Sequence, residues 1–337
     1  MPRGPRLDAP GALHHVIARG IERRALFIED RDRSDFLTRL AALVACSGTR
    51  LYAWALLPNH FHLLVRTGAA PLSSLVRRLL TGYAVSFNRR HRRSGHLFQN
   101  RFKSILVEDD PYLLTLVRYI HLNPLRARVI DTLEQLDCYP WSGHGVLLGQ
   151  RRFPAQDCAT VLQQFHAGAA ADAQTRYRRF VADAIGIHES VDLSGGGLRR
   201  SRVWRGVRAL TRGRERWTFD ERVLGSSAFV EHLLTQLPPP VAPLAISSPR
   251  PLVERLCAEH AQRFHVAIAE ICSRSLRRPA RLARAAVCRA AVCRHGLSPT
   301  VVARLLGISM QSVLRATLPK PVVDPPPRAP TPERRRR

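Results

Sequence analysis

LYAWALLPNHFHLLVR, residues 51–66, decides the fold of the first part of this chain. Leu51–Leu57 and Phe61–Arg66 are apolar runs of strand length, and Pro58-Asn59 between them is a turn dipeptide, so the stretch predicts a β-hairpin. His60 and His62 stand two positions apart in it. Side chains at that spacing on a strand leave the same face about 6.5–7 Å apart at the backbone, near enough to share one metal ion. Two imidazoles are half of a ligand set. The plainer reading is a pair of partly buried rings satisfied by backbone groups.

Outward from the hairpin, strand-like and helix-like patterns alternate. Leu13–Arg19 predicts a strand, and Asp32–Cys46 a helix with Phe36, Leu37, Leu40, Leu43 and Val44 on one face. Pro71–Arg90 predicts a second helix with Leu72, Leu75, Leu79 and Val85 facing inward. Phe98–Val107 reads as a fourth strand. Pro111–Leu122 reads as a third helix, capped by Asp110, with Pro111 in its first turn and Asn123-Pro124 as its stop. The order β-α-β-β-α-β-α predicts an α+β fold, a ferredoxin-like antiparallel sheet with helices packed on one face.

The third helix adds chemistry to the histidine pair. Tyr119 and Asn123 are four residues apart, hence on one helix face about 5–6 Å apart. An amide oxygen is an acceptable ligand for a hard divalent ion. Two histidines, an amide and a tyrosine are therefore a set able to surround one phosphate. Among competing groups, Tyr112 reads as packing and Tyr83 as core or DNA-facing. His121 lies about 200° around the helix from Tyr119. His14 and His15, in the first strand, read as structural or DNA-contacting.

Composition points to the partner. Lys plus Arg number 53 against 26 Asp plus Glu, a formal charge of +27, and Lys103 and Lys320 are the only lysines. A high-GC codon bias explains arginine over lysine but not the missing acids. A polyanion, nucleic acid by default, is the expected partner. With 45% hydrophobic residues the chain can still bury a core. No apolar run approaches the ~18–20 residues of a membrane span, and the start lacks a signal-peptide core, so the cytoplasm is the expected compartment. The seven cysteines are scattered and never spaced C-x2-C, which argues for free thiols over disulfides or a zinc finger.

A basic run continues from the second helix: Arg89, Arg90, Arg92 and Arg93, then Arg101 and Lys103, with Phe98 and Phe102 nearby for base stacking. Such a run is often only a solvated face; beside a phosphate site it reads as a groove for the DNA backbone. Trp141 reads as a cover for the core.

The segments LHHVIARGIERRALF (13–27), LLPNHFHLLV (56–65) and LVRYIHLNPLRARV (116–129) resemble the single-tyrosine HUH nucleases, specifically the REP-associated tyrosine transposases, over about residues 5–150. The resemblance implies metal ligands at His60 and His62, a third ligand at Asn123, and the nucleophile at Tyr119. Ile21 departs from the pattern, since many relatives carry Asn there. The implied reaction suits a phenol, which is a weak nucleophile at neutral pH and needs help. A divalent ion, Mg²⁺ or Mn²⁺ by the mixed nitrogen and oxygen donors, would neutralise a phosphate oxygen and orient the scissile bond. Attack would leave a 5′-phosphotyrosine and a free 3′-hydroxyl, able to rejoin strands without ATP. The substrate implied is single-stranded or hairpin DNA near repeated palindromes. The rival reading is a catalytically dormant regulator or architectural protein that binds repeat DNA.

Two punctuated stretches, residues 186–200 and 237–251, divide the rest. The expected plan is a transposase domain over residues 1–150, a mainly helical connector over 151–251, a DNA-binding module over 252–318 and a basic tail over 319–337. Within the module, Leu252–His265, Ile268–Arg274 and Arg281–His295 are helical in pattern, and GLSPTVVARLLGISMQSVLRAT (296–317) predicts a helix-turn-helix. Ser298 and Ser309 are its caps and Gly307 its turn, with Val302, Leu305, Leu306, Ile308 and Val313 inside. The module resembles the DNA-binding domain of the replication initiator DnaA. Gln311, Ser312 and Arg315 are the expected duplex contacts, joined by Arg281 and Arg284, with Arg274, Arg277 and Arg278 adding charge. A plain bundle that forms a homodimer is the alternative use of the same helices.

Overall fold

The computed structural model describes residues 10–68, 70–165, 170–186, 223–224, 249–273 and 275–317. Arg274, most of both expected linkers and the tail over 319–337 lie outside the described residues. β1 (Leu13–Arg19) passes through a single helical turn at Ile21–Arg23 to α1 (Asp30–Ser47). α1 starts with a capping box, in which the Asp32 carboxylate accepts from the amides of Ile28 and Glu29. It ends at Gly48, whose left-handed φ of 68° suits a residue with no Cβ. β2 (Arg50–Leu57) and β3 (His60–Arg66) form the hairpin, followed by α2 (Leu72–Arg90), β4 (Lys103–Val107) and α3 (Asp109–Arg126). The sheet order is β2-β3-β1-β4 with every pairing antiparallel; β5 (Val223–Leu224) adds parallel to β4. This is the α+β, ferredoxin-like arrangement that the element order predicts.

Helices cover both faces of the sheet, where one had been expected. α1 and α2 pack on one face against Val16, Trp54, Phe61, Leu63 and Val65, while α3 packs on the other against Tyr52, Ala55, Leu57 and Leu64. Both strands of the hairpin are buried on both sides, so period-two alternation of polarity is absent and gives no sign of the second layer. Three other expectations change. Val85 is 65% exposed rather than inward, because the inward stripe of α2 is completed by Tyr83 and Phe87. The fourth strand begins at Lys103, and Phe98 makes only an isolated bridge to Gly20. α3 runs through Asn123-Pro124 to Arg126: the buried side chains Ile120 and Leu122 hold it against the sheet, and packing outweighs the one hydrogen bond that a proline removes.

α4 (Leu133–Cys138), α5 (His144–Leu147), α6 (Cys158–Gln163) and α7 (Ala170–Ala182) extend the α3 layer, contributing Leu136, Leu147, Val161, Tyr177 and Val181 to its core. The C-terminal helices α8 (Pro249–Phe264), α9 (Ile268–Ile271), α10 (Arg278–Arg289), α11 (Pro299–Leu306) and α12 (Met310–Thr317) enclose a separate core around Leu256, Val287, Val302, Leu306 and Val313. Ser298 caps α11 by accepting from Val301 N, Gly307 turns the chain at φ 66°, and Ser309 accepts from Ser312 N at the start of α12. All seven cysteines are free. No helix among the described residues is long and apolar enough to cross a membrane.

Candidate active site

The pleat of β3 sends Phe61, Leu63 and Val65 toward α1 and α2, which leaves His60, His62 and Leu64 on the α3 side. There the histidines meet Tyr119. The rings of His60 and His62 lie 5.1 Å apart at their centroids, and those of His62 and Tyr119 lie 5.9 Å apart, both edge-on. α3 is held over the sheet by Leu113, Leu116, Val117 and Ile120, all buried, and the half-buried Tyr119 stands at the edge of that seam. One turn on, Asn123 is buried and its amide nitrogen donates to Tyr119 O at 2.8 Å. Its oxygen is left as the donor atom for a cation.

Burial and charge set the state of the imidazoles. Burial, helped by the Arg19 guanidinium, lowers His60 to about 4. Burial holds His62 well below its ordinary value, with His15, His60 and Arg19 acting in the same direction. Both rings are neutral at physiological pH, as ligands must be. Two neutral imidazoles side by side are nitrogen donors that suit a divalent cation, and an amide oxygen such as that of Asn123 is chemically compatible with one of the Mg²⁺ or Mn²⁺ class.

Four residues that the sequence had not singled out for this site stand around it. His15 Nε2 lies 2.9 Å from His62 Nδ1, and its ring is 5.9 Å from Tyr119. Asn59 Oδ1 lies 2.7 Å from His60 Nδ1. Arg126 places its guanidinium 5.4 Å from the Tyr119 ring centroid. Arg19 pairs across the sheet with His60. Their signals are legible in hindsight: His15 and Arg19 share a strand face at even spacing, and Arg126 lies two helical turns beyond Tyr119. A cavity of about 440 Å³, lined by Arg23, Leu57, Pro58, Asn59, His60 and Val129, opens beside His60. On the opposite side of α3, His121 is fully buried and bonds the Tyr177 hydroxyl at 2.7 Å. Tyr112 packs at the edge of the α3 core, and Tyr83 is buried under α1, donating to Leu26 O. Trp141 is buried in the α1/α2 core.

The basic run divides. Arg89, Arg92, Arg101 and Lys103 are exposed, and Arg93 lies 5.8 Å from the Phe87 ring. Arg90 is not a surface contact: it pairs with the fully buried Asp32, with Asp35 at 3.6 Å and with Glu29 at 3.9 Å. Phe102 is buried in the core and unavailable for stacking; Phe98 is half-buried. Among the described residues, Glu29, Asp32 and His91 also gather three potential metal-ligating atoms within 4.8 Å. Arg90 and His91 already pair with the Asp32 carboxylate there, so its oxygens serve an ion pair and cap at the start of α1. In the C-terminal helices Arg281, Gln311 and Arg315 are exposed, whereas the Ser312 hydroxyl bonds Ser309 at 2.9 Å. Arg284 is committed to three backbone carbonyls, those of Glu270, Ile271 and Ser275, and braces a loop instead of facing a duplex.

A solved structure of a REP-associated tyrosine transposase bound to a REP hairpin is similar to the chain at 16% identity and a TM-score of 0.38, over 47% of this chain and 98% of that one. No curated protein matches the chain. Residues 11–123, which hold β1 through Asn123 and thus both histidines and the tyrosine, match the family described as "Transposase IS200 like".

Proposed function

We propose that the N-terminal domain cleaves and rejoins single-stranded or hairpin DNA through a covalent 5′-phosphotyrosine at Tyr119, with a divalent cation held by His60, His62 and Asn123. The observation that carries this reading is the convergence of His60, His62 and Tyr119 on one side of the sheet, with ring centroids 5.1 and 5.9 Å apart. When bound, the cation supplies charge neutralisation at a nonbridging phosphate oxygen. Tyr119 supplies the attacking oxygen. Arg126, over its ring, and Arg19, beside His60, add positive charge where the phosphate and the developing phenolate would sit. The Tyr119–phosphorus bond forms as the bond to the 3′-oxygen breaks, and that oxygen leaves as the hydroxyl that can reverse the step. The exposed Arg89, Arg92, Arg101 and Lys103 are suited to the backbone of the same strand. Arg281, Gln311 and Arg315 of the C-terminal helices would bind a neighbouring duplex.

Incubating the full chain with a hairpin oligonucleotide and Mn²⁺ tests the reading. A covalent adduct should form in wild type and vanish in Tyr119→Phe, with hairpin binding retained. Loss of the adduct in Tyr112→Phe with retention in Tyr119→Phe overturns the assignment. Removing residues 252–337 should weaken duplex binding and flatten its salt dependence, each lost phosphate contact changing the slope by about 0.9.

A further inference from the structure

The hydrogen bonds behind the two site histidines dictate which ring nitrogen is available to a cation. Asn59 Nδ2 donates to the Arg23 carbonyl at 3.2 Å, so it is the carboxamide oxygen that lies 2.7 Å from His60 Nδ1. An oxygen of that kind only accepts. His60 must therefore carry its proton on Nδ1 and its lone pair on Nε2. The Arg23 carbonyl that orients the carboxamide is itself held in an uncommon backbone: Glu22 and Arg23 have φ of 53° and 60°, both left-handed. That turn leaves no room for a side chain at Gly20, where a Cβ would lie 2.1 Å from Arg24 O. Gly20 N in turn donates to Asn59 O at 2.9 Å, which ties the strained turn to the hairpin.

His62 has a different partner. Its Nδ1 faces His15 Nε2 at 2.9 Å, with the two rings stacked 5.2 Å apart and both buried. If His62 donates, its Nε2 keeps a lone pair. If His15 donates, His62 presents an N–H to the site and cannot be a ligand.

We infer that Asn59 and His15 are positioning residues, each accepting the Nδ1 proton of one ligand histidine and thereby leaving that histidine's Nε2 lone pair for the cation. The inference rests on the metal reading above and goes beyond it. Metal-bound histidines generally donate their second N–H to an acceptor, often a carboxylate; here both acceptors are neutral. The two ligands then differ. His60 is preset by a carboxamide that offers no alternative, whereas His62 shares one proton with an imidazole and is fixed as a donor only when the cation takes its Nε2.

The test uses the full chain. Nitrogen-15 NMR of histidine in the metal-free protein should find His60 with Nδ1 protonated. Asn59→Ala should release it into a mixture of tautomers, and Asn59→Asp, which keeps an acceptor, should restore the wild-type form. Calorimetric titration with Mn²⁺ should show affinity about 10–100-fold weaker in Asn59→Ala and in His15→Phe, the range expected for lost outer-shell partners. His15→Phe keeps a ring in the buried slot, so an unchanged melting temperature with weakened Mn²⁺ binding separates positioning from folding. His60 protonated on Nε2 in wild type, or wild-type Mn²⁺ affinity in both variants, overturns the inference. Full Mn²⁺ affinity in His60→Ala and His62→Ala overturns the metal reading itself and this inference with it.

Discussion

Along β3, Phe61, Leu63 and Val65 enter the core beneath α1 and α2, while on the α3 side His62 meets His15, Tyr119 and its neighbour His60. The first face is built of rings packed on rings: Phe61 lies 4.8 Å from Phe36, which lies 5.3 Å from Tyr83. The second face holds polar rings at similar spacings but joins them by hydrogen bonds. One strand thus gives Phe61, Leu63 and Val65 to the first core and His60 and His62 to the candidate site, with Leu64 joining the α3 core. The arrangement works because an apolar anchor on one side lets the other hold neutral imidazoles out of water without the sheet coming apart.

Removing one ring from each face should separate the two roles. Phe61→Ala leaves a cavity in a fully buried cluster and should cost about 3–5 kcal/mol, read as a large fall in melting temperature. Tyr119→Phe should move stability by no more than about 0.5 kcal/mol while removing the adduct. Equal losses of stability from the two would mean that the faces are not divided in this way.

The buried ion pair at the start of α1 belongs to the folding side and comes next in size. Asp32 is fully buried, and hydrogen bonds from His91, Glu29, Ile28 and Arg90 outweigh the opposing effect of burial to hold it below the ordinary carboxylate value. Asp32→Ala should cost about 3 kcal/mol, since it removes the capping box and strands Arg90. The sign with pH follows from the lowered value. This stabilisation is present above the ordinary carboxylate range and is lost as pH falls through the lowered value, so acid unfolding of wild type should be steeper than that of Asp32→Ala.

The same division explains what the sequence made legible. The hairpin, the α1 stripe, the α2 stripe apart from Val85 and the order of elements along the chain follow from local signals, because Pro58-Asn59 marks a turn and Phe36, Leu40 and Leu43 repeat at helical spacing. The pairing of His60 with His62, and of Tyr119 with Asn123, follows from spacing alone. What brings the two pairs together is tertiary: α3 crosses to the far face of a sheet buried on both sides, where polarity along the strands no longer reports direction. Arg90 and Arg284 read as surface charge for the same reason, their partners Asp32 and the 270–275 carbonyls being distant or on the backbone. The hydrogen bonds of His15 to His62 and of Asn59 to His60 have no fixed sequence spacing to announce them.

A smaller effect should come from the far side of α3, where Tyr177 bridges two histidines. Arg178 donates to Asp137 at 2.8 Å, His144 Nε2 bonds Asp137 at 2.9 Å, and the Tyr177 hydroxyl joins His144 Nδ1 at 2.8 Å to His121 Nδ1 at 2.7 Å. Burial lowers His144 despite Asp137, and burial lowers His121 as well. Both stay neutral in the fold at a pH where the unfolded chain, with histidine near about 6.5, binds protons. The unfolded state then holds more protons, so stability should fall as pH drops below that value and rise again above it. Urea midpoints at roughly pH 7 and pH 5 check this; His144→Gln should narrow the difference between them, and equal midpoints in wild type refute it.

The smallest expected effect sharpens the chemical face. Arg126 is exposed, its guanidinium 5.4 Å from the Tyr119 ring, and an exposed cation–π contact contributes about 0.5–1 kcal/mol. On the proposed reading, a cation there would also favour the phenolate of an attacking Tyr119 and draw in the phosphate. Arg126→Gln should therefore slow adduct formation by about 2–5-fold, since 1.36 kcal/mol is a tenfold change in rate. Stability should stay put, because the side chain supports no core. The charge is unburied, so the defect should shrink at about 1 M salt, where the Debye length falls to about 3 Å. Arg126→Lys keeps the charge but loses the planar contact, and should fall between wild type and Arg126→Gln. A single-turnover time course of adduct formation at low and high salt measures all three. Equal rates throughout would leave the tyrosine to its histidines and the cation alone, and a defect that persists undiminished in high salt would move the role of Arg126 from charge to shape.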